Sequence, residues 1–267
     1  MLSNTSRSLT YLNAILYTAL GACLFLLPAK LAPVFAWKVT EFMTMTIGGW
    51  CLGNAWLAWV TARRWKWNEV FSALLYLWLF GIGELIVLFL FRDKLKLEHP
   101  IAWLYLITLG VNVLTAIVGI LEWLRGRPSS APEGGTLSLG QRIAAVIFVI
   151  FVGFLGIYGC TAQIGAVGTN GGIFPEVMSL FTLRSFGVFY FCIALAVLPY
   201  WWNPNFAALL HHSIASYGLI VFITIAAFVY LQLFDFAAKP GGLLYFVAYL
   251  GIGIPLLFIF RKYGFKI

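Results

Sequence analysis

The sequence predicts an all-α, polytopic membrane protein with eight transmembrane helices arranged as two parallel four-helix repeats. The first observation is composition, because 62% of the 267 residues are hydrophobic and only 10% are charged, whereas soluble domains are about half apolar and a quarter charged. The second is a set of eight apolar runs that reach the roughly 20 residues needed to cross hydrocarbon. The third is that these runs do not alternate as barrel strands do, so their backbones must bond internally as helices.

The eight runs set the predicted helix boundaries. In chain order they cover residues 9–27, 42–62, 70–91, 101–124, 143–165, 177–200, 206–234 and 241–260. The first run follows Arg7 as a signal peptide would, but its 19 residues exceed the usual apolar core and no small-x-small cleavage site follows. We therefore expect it to be a retained helix.

The second to fourth runs combine small and polar residues. Gly48, Gly49 and Gly53 give the second run a face suited to close helix packing. Glu84 lies well inside the third run, and Asn112 lies inside the fourth. Polar and ionisable residues at such depths are costly in hydrocarbon, so they mark a candidate site.

Residues 125–142 are rich in Pro, Gly and Ser and too polar to insert, which predicts a linker. We therefore expect a first four-helix repeat at residues 1–124, a cytoplasmic linker at 125–142 and a second four-helix repeat at 143–267. Between the fifth and sixth runs, the glycine-rich stretch 165–172 lacks the G-K-[ST] ending of a phosphate loop and predicts a turn.

The positions of Lys and Arg predict that both termini are cytoplasmic. Eight crossings place both termini on one side, which carries ten Lys and Arg residues against six on the other. The positive-inside rule assigns the richer side to the cytoplasm, here of a bacterial-type inner (plasma) membrane. The net charge of +8 follows from these connections, and no basic soluble segment suits nucleic acid. The expected partner is the lipid bilayer, together with possible membrane subunits or further copies of the chain.

The two halves share an order of features that indicates an internal duplication. Each half has an apolar helix, a proline-containing segment, a glycine-bearing helix that ends in tryptophan, and two further helices. Placing Gly49 on Gly187 gives an offset of 138 residues. Four helices per half is an even number, so the repeats share one orientation, unlike inverted transporter repeats.

A four-helix unit with Pro28 and Pro33 after its first helix and a Gly48-Gly49-x-x-x-Gly53 pattern in its second resembles the DoxX-like group of small bacterial membrane proteins. It is also similar to related uncharacterised four-helix families. The resemblance covers each half and implies a four-helix membrane unit of mostly unknown function, with some members acting as membrane subunits linked to quinone-dependent sulfur oxidation. The tandem fusion departs from the usual single unit, and no functional residue of the family matches a position here.

A polar cluster in the first half is the candidate ligand site or structural site. Asn54, Glu84 and Asn112 lie about eight to twelve residues from the same membrane face, so their depths agree within about 6 Å. Arg184 in the sixth run lies at a similar depth and is the expected counter-charge of Glu84, because pairing would offset both desolvation costs. The cluster either locks the two repeats together or binds a ligand, proton or ion.

The second half lacks this cluster. At the offset of 138, Asn54 corresponds to Cys192 and Glu84 corresponds to Phe222. One repeat therefore carries the polar groups, which indicates a specialised site in the first half.

His211 and His212 are secondary candidates at the start of the seventh run. Adjacent helical side chains point about 100° apart, so the two rings cannot ligate one metal ion. His99 is the only other histidine and is expected at the opposite face, which disfavours haem. The four cysteines lie singly in apolar runs without a C-x-x-C spacing. We expect no metal, no cofactor and no catalytic residue.

Two functions fit these features. The first is a non-enzymatic accessory or scaffold subunit of a larger membrane assembly, since catalytic constellations and soluble domains are missing from the sequence. The second is a carrier or binding protein for a lipid, a quinone or another apolar or weakly acidic small molecule, with a site near Glu84. A membrane-embedded enzyme is less consistent with the sequence, because clustered His and acidic residues are lacking.

Overall fold

A computed structural model describes residues 2–132, 135–163 and 176–263. Within these ranges the chain is helical, and the only isolated β-bridge with both partners described joins Thr136 to Asn205. The described α-helices are, in chain order, α1 (Asn4–Leu26), α2 (Pro28–Leu31), α3 (Glu41–Arg64), α4 (Trp67–Leu90), α5 (Pro100–Gly126), α6 (Leu139–Thr161), α7 (Leu180–Val197), α8 (Phe206–Val229) and α9 (Gly242–Tyr263).

Seven of the long helices in the described ranges are long and apolar enough to cross a membrane. The prediction of an all-α, multi-pass membrane protein is therefore confirmed. The eighth long helix, α3, is less apolar than the others because Thr, Gly and Asn54 interrupt its hydrophobic residues. Of its 24 residues, 18 are buried within the protein, so α3 is the central helix of the bundle.

Capping residues move several helix boundaries away from the predicted runs. Ser138 and Gln141 form a reciprocal capping box, so α6 begins at Leu139, four residues before the predicted run. Ser179 accepts a hydrogen bond from the backbone of Thr182, which starts α7 three residues later than predicted. The predicted end of the fifth run at Gly165 and the stretch 165–172 lie outside the described residues.

The first four long helices form a closed bundle. Helix α1 packs against α3 and α5, and α4 packs against the same two helices, so each helix has two neighbours in the ring. Two glycines of this bundle allow the α1–α3 crossing. A Cβ on Gly48 would lie 2.5 Å from the backbone N of Phe25, and a Cβ on Gly21 would lie 2.8 Å from the backbone N of Leu52.

The last four long helices pair differently. Helix α6 packs extensively against α7, whereas α9 packs mainly against α8, so the packing of α9 on α6 is at most marginal over the described residues. Glycines again allow the first crossing. A Cβ on Gly187 would overlap the backbone N of Cys160, and a Cβ on Gly156 would lie 2.6 Å from the backbone N of Phe191.

The two sets of helices join through α3, α4, α7 and α8, with α3 against α8 and α4 against both α7 and α8. Aromatic rings fill the centre of this junction. The Trp50 and Phe189 rings stack with centroids 4.7 Å apart and an angle of 11° between their planes. The main hydrophobic core therefore runs through the middle of the molecule and includes residues of both halves.

Candidate functional site

Two of the predicted cluster residues, Glu84 and Asn54, line a small cavity inside the first four long helices. The cavity measures about 40 Å³, and its wall also includes Trp50 and Tyr105. A cavity needs at least about 10–15 Å³ to hold one water molecule. The cavity therefore has room for water or a similarly small solute, and none for a lipid or a quinone ring.

Four polar atoms of the residues that line the cavity have no hydrogen-bond partner among the described residues. They are Asn54 Nδ2, Glu84 Oε1, Trp50 Nε1 and the Tyr105 hydroxyl oxygen. The other side-chain oxygens of Glu84 and Asn54 do have partners. Ser185 Oγ donates to Glu84 Oε2 over 3.0 Å, and the Tyr76 hydroxyl donates to Asn54 Oδ1 over 2.9 Å. Buried polar groups normally bond to protein or ordered water. Residues with unpaired donors and acceptors therefore surround this small cavity.

Asn112 belongs to an adjoining network and does not line the cavity. Its Nδ2 donates to the Tyr17 hydroxyl over 2.9 Å, and Tyr17 does line the cavity. Asn13 Nδ2 donates to Asn112 Oδ1 and to Thr115 Oγ1. Asn13 and Tyr17 are not among the predicted site residues, although a polar pair four residues apart on α1 shares one helix face and is visible in the sequence.

The predicted ion pair between Glu84 and Arg184 is wrong. Arg184 Nη1 instead donates to the backbone oxygens of Gly159 and Ala162, over 2.9 and 2.8 Å. Arg184 and Ser185 are consecutive on α7 and point about 100° apart, so Ser185 faces Glu84 while Arg184 faces the end of α6. The last carbonyls of a helix lack partners within that helix, and Arg184 satisfies two of them.

The two histidines of α8 are buried and make separate contacts. His211 Nε2 lies 3.5 Å from Thr61 Oγ1, and His212 Nδ1 lies 3.0 Å from Ser72 Oγ. These contacts direct the rings to different helices, α3 and α4. In the described part of the chain no three His, Cys, Asp or Glu side chains are grouped so that they could hold a metal ion.

A much larger cavity, of about 460 Å³, lies between α6, α7, α8 and α9. Its volume falls within the range of about 300–1,000 Å³ that small-molecule sites usually have. Most of the wall is apolar, with Phe148, Leu155, Ile193, Leu219 and Ile252 among its residues. The cavity exists because α9 packs mainly against α8 and leaves the space beside α6 unfilled.

Polar groups of the large cavity are concentrated toward one end. Gln141 lies at the start of α6, Lys262 lies at the end of α9, and His212 lies in the second turn of α8. Tyr190 and Tyr249 also line the cavity, and their hydroxyl oxygens are 2.7 Å apart in a mutual hydrogen bond. The cavity therefore has a largely apolar body, which the tyrosine pair interrupts, and a polar end formed by Gln141, Lys262 and His212.

Sequence reasoning did not find the large cavity. Its wall consists mostly of Leu, Ile, Val, Phe and Ala, which look the same in a sequence whether they fill a core or line a cavity. His212 is its only predicted site residue. The predicted polar cluster lies elsewhere, around the small cavity of the first half.

Comparison with known proteins gives no relative for this chain: no family model matches it, and neither do curated proteins or solved structures. The DoxX-like resemblance stays a prediction. The cavities and their polar groups are therefore the basis for any functional conclusion.

Proposed function

We propose that this protein binds or carries an apolar small molecule of the lipid or quinone class in the large cavity between α6, α7, α8 and α9. The observation that carries the proposal is the cavity itself, with about 460 Å³ of space, apolar walls and a polar end. Sites for small molecules are concave and mostly apolar, with a few polar groups that fix orientation. The small cavity beside Glu84 is about 40 Å³, so the proposal uses the second half of the chain instead.

The proposal includes eight crossings arranged as two parallel repeats. The glycine contacts support the repeats, because the contact of Gly48 with Phe25 N in the first half corresponds to the contact of Gly187 with Cys160 N in the second. The offset in residue number is 139 between the glycines, which lie on α3 and α7, and 135 between their partners, which lie on α1 and α6.

A second pair of glycine contacts repeats both offsets. The contact of Gly21 with Leu52 N corresponds to the contact of Gly156 with Phe191 N. The offset is again 135 residues between α1 and α6 and 139 residues between α3 and α7. The offset in α7 is one residue larger than the 138 given by aligning Gly49 with Gly187. Two matched crossings are unexpected for unrelated bundles and expected for a duplication.

The same offsets relate the two cavities. The wall pairs are Tyr17 with Val152, Leu20 with Leu155, Trp50 with Phe189, Cys51 with Tyr190, and Asn54 with Ile193. The interior that is small and polar in the first repeat thus corresponds to one that is large and apolar in the second. We propose that the first repeat is the structural unit and that the second repeat holds the ligand.

The polar end of the cavity lies at the ends of α6, α8 and α9 that face the linker. Helix α6 begins directly after the linker, and Leu137 N of the linker donates to the carbonyl oxygen of Pro204, just before α8. Since both termini and the linker are proposed to be cytoplasmic in a bacterial-type plasma membrane, the ligand enters with its polar group toward the cytoplasmic face.

An accessory subunit of a larger membrane assembly is the second candidate. It is favoured by the exposure of α6 and α9, because only 17% and 22% of the most apolar 18-residue stretch of each helix is buried within the protein. Lipid covers such faces in a monomer, whereas a partner subunit covers them in an assembly.

Ligand retention tests the binding proposal. The chain is purified in a mild detergent and extracted with organic solvent, and the extract is identified by mass spectrometry. The Ala248→Trp variant fills the cavity from α9, whereas Val247→Trp places the same side chain at a neighbouring position that is 65% exposed. We expect a stoichiometric apolar compound from the wild type and from Val247→Trp, and its loss from Ala248→Trp.

Equal recovery of lipids from all three proteins would contradict the binding proposal, because bulk annular lipid does not depend on the cavity. Stoichiometric co-purification of another membrane protein, lost in Val247→Trp and kept in Ala248→Trp, would support the accessory-subunit candidate.

A further inference from the structure

We infer that His212 selects the ligand by accepting a hydrogen bond from a hydroxyl group, so that the bound molecule is an alcohol or phenol with an apolar body. Within the quinone class this means the reduced quinol, which carries hydroxyl groups, and not the oxidised quinone. This inference rests on the proposed binding function and specifies the chemistry of the same cavity. It is carried by the hydrogen bonds around the His212 ring.

The hydrogen bonds of Ser72 fix which ring nitrogen of His212 carries the proton. Ser72 Oγ lies 2.7 Å from the carbonyl oxygen of Ala196 and 3.0 Å from His212 Nδ1. A carbonyl oxygen can only accept, so the single hydroxyl proton of Ser72 goes to Ala196. His212 must then donate from Nδ1 to Ser72 Oγ. In the neutral ring, Nε2 is left as a bare acceptor.

The hydrogen-bond contact of His212 in the described part of the protein is made by Nδ1, and the residue contributes to the cavity wall. Nε2 is not among the fully enclosed polar atoms that lack a partner, as expected of an atom that opens onto the cavity. His212 is only 4% exposed, and a polar atom that is shielded from bulk water and has no partner costs stability. A donor on the ligand supplies that partner.

His212 differs from the other polar groups of the wall in being an acceptor only. The Gln141 amide and the Ser213 and Ser216 hydroxyls both donate and accept, and Lys262 only donates. Groups that do both tolerate either a hydroxyl or an ether on the ligand. The acceptor-only nitrogen favours a ligand that has a donor over one that has none.

The position of His212 also fixes where the hydroxyl lies. His212 is six residues after the start of α8 at Phe206, which is about 9 Å along the helix axis. The ligand hydroxyl therefore lies below the polar end of the cavity, and the apolar body of the ligand extends past Leu155, Leu219 and Ile252.

A matched pair of probes tests this inference. Hexadecanol and hexadecyl methyl ether have similar shape and apolar area, but only the alcohol can donate a hydrogen bond. Binding of each isotope-labelled probe is measured on the delipidated full chain, for the wild type and for His212→Phe. One hydrogen bond changes affinity about fivefold, so we expect the wild type to prefer the alcohol by about this factor and the variant to bind both probes equally.

Nitrogen NMR of histidine-labelled wild-type protein gives a second measurement that does not depend on the folding of a variant. We expect His212 to show a protonated Nδ1 and an unprotonated Nε2, with the Nε2 resonance shifting when hexadecanol is added and not when the ether is added. Ser72→Ala removes the acceptor that positions the ring, and we expect it to reduce the preference for the alcohol.

The outcomes separate the inference from the proposed function. Equal binding of both probes by the wild type, or a protonated Nε2, overturns the role of His212 while leaving the binding function intact. Failure of both probes to bind the cavity overturns the inference and counts against the proposed function as well.

Discussion

Replacing Gly187 by alanine tests the close α6–α7 crossing that supports the proposed second repeat. The added Cβ would overlap the backbone N of Cys160 and the backbone of Gly159. Both obstacles are backbone atoms of α6, so they cannot move aside as the end of a side chain could. Overpacking of this kind costs about 1–3 kcal/mol, and we expect the variant to lose stability by that amount or more.

The α1–α3 crossing offers a matched variant, and an exposed glycine offers a control. Gly48→Ala places a Cβ 2.5 Å from Phe25 N, the corresponding contact of the α1–α3 crossing, and we expect a similar loss. Gly110→Ala meets no atom within 4 Å, so its better helix propensity should stabilise the chain by up to about 1 kcal/mol. Reversible unfolding in mixed micelles measures all three free energies of unfolding.

The double variant with both Gly48→Ala and Gly187→Ala extends the test to the repeats. The two crossings share no contact residues, so we expect the two losses to add within about 0.5 kcal/mol. A Gly187→Ala protein as stable as Gly110→Ala would refute the described α6–α7 contact and, with it, the matched crossings that support the duplication.

Three further changes test the polar contacts. We expect Arg184→Met to lower the free energy of unfolding by about 2–3 kcal/mol, because the two hydrogen bonds to carbonyl oxygens are lost. A double-mutant cycle of Arg184→Met with Glu84→Gln should give a coupling energy below about 0.5 kcal/mol. A coupling energy above about 1 kcal/mol would instead indicate an ion pair between Arg184 and Glu84. We expect Ser185→Ala to lower the free energy of unfolding by about 1–3 kcal/mol, because Glu84 loses a hydrogen-bond partner. The same loss from Ser185→Ala in a Glu84→Leu background would contradict this hydrogen bond. Tyr76→Phe should cost about 1 kcal/mol because Asn54 loses its donor, and an unchanged free energy of unfolding would argue against this hydrogen bond.

The fold class was predictable because length and hydropathy decide whether a segment crosses a membrane. Helix α3 shows where this rule weakens. Its Thr, Gly and Asn54 lower its hydropathy, yet neighbouring helices cover 18 of its 24 residues, so that lipid does not have to. Burial inside a bundle depends on partners that are distant in sequence, and hydropathy alone does not report them.

The candidate site was predictable only in part. Depth arguments brought Glu84 and Asn54 to one cavity, because helix rise converts residue number into height. Depth does not give the rotation of each helix about its axis, so the sequence predicts Arg184 as the partner of Glu84 although Arg184 faces α6. The next residue, Ser185, faces Glu84 instead.

The large cavity was beyond sequence reasoning for a different reason. A cavity arises from how helices are spaced, and here α9 packs mainly on α8 while α5 packs on both α1 and α4. The residues that line it, such as Leu155 and Ile252, are ordinary for a transmembrane helix. The sequence marks His212 as a candidate polar residue, but its contact with Ser72, 140 positions away in sequence, is visible only in the fold.

The most direct test of ligand binding between α6, α7, α8 and α9 is a density map of the chain purified in a mild detergent. We expect elongated density between these helices, with one end within hydrogen-bonding distance of His212 Nε2. A map in which α9 packs against α6 and closes this space, or in which side chains fill it, would contradict ligand binding there.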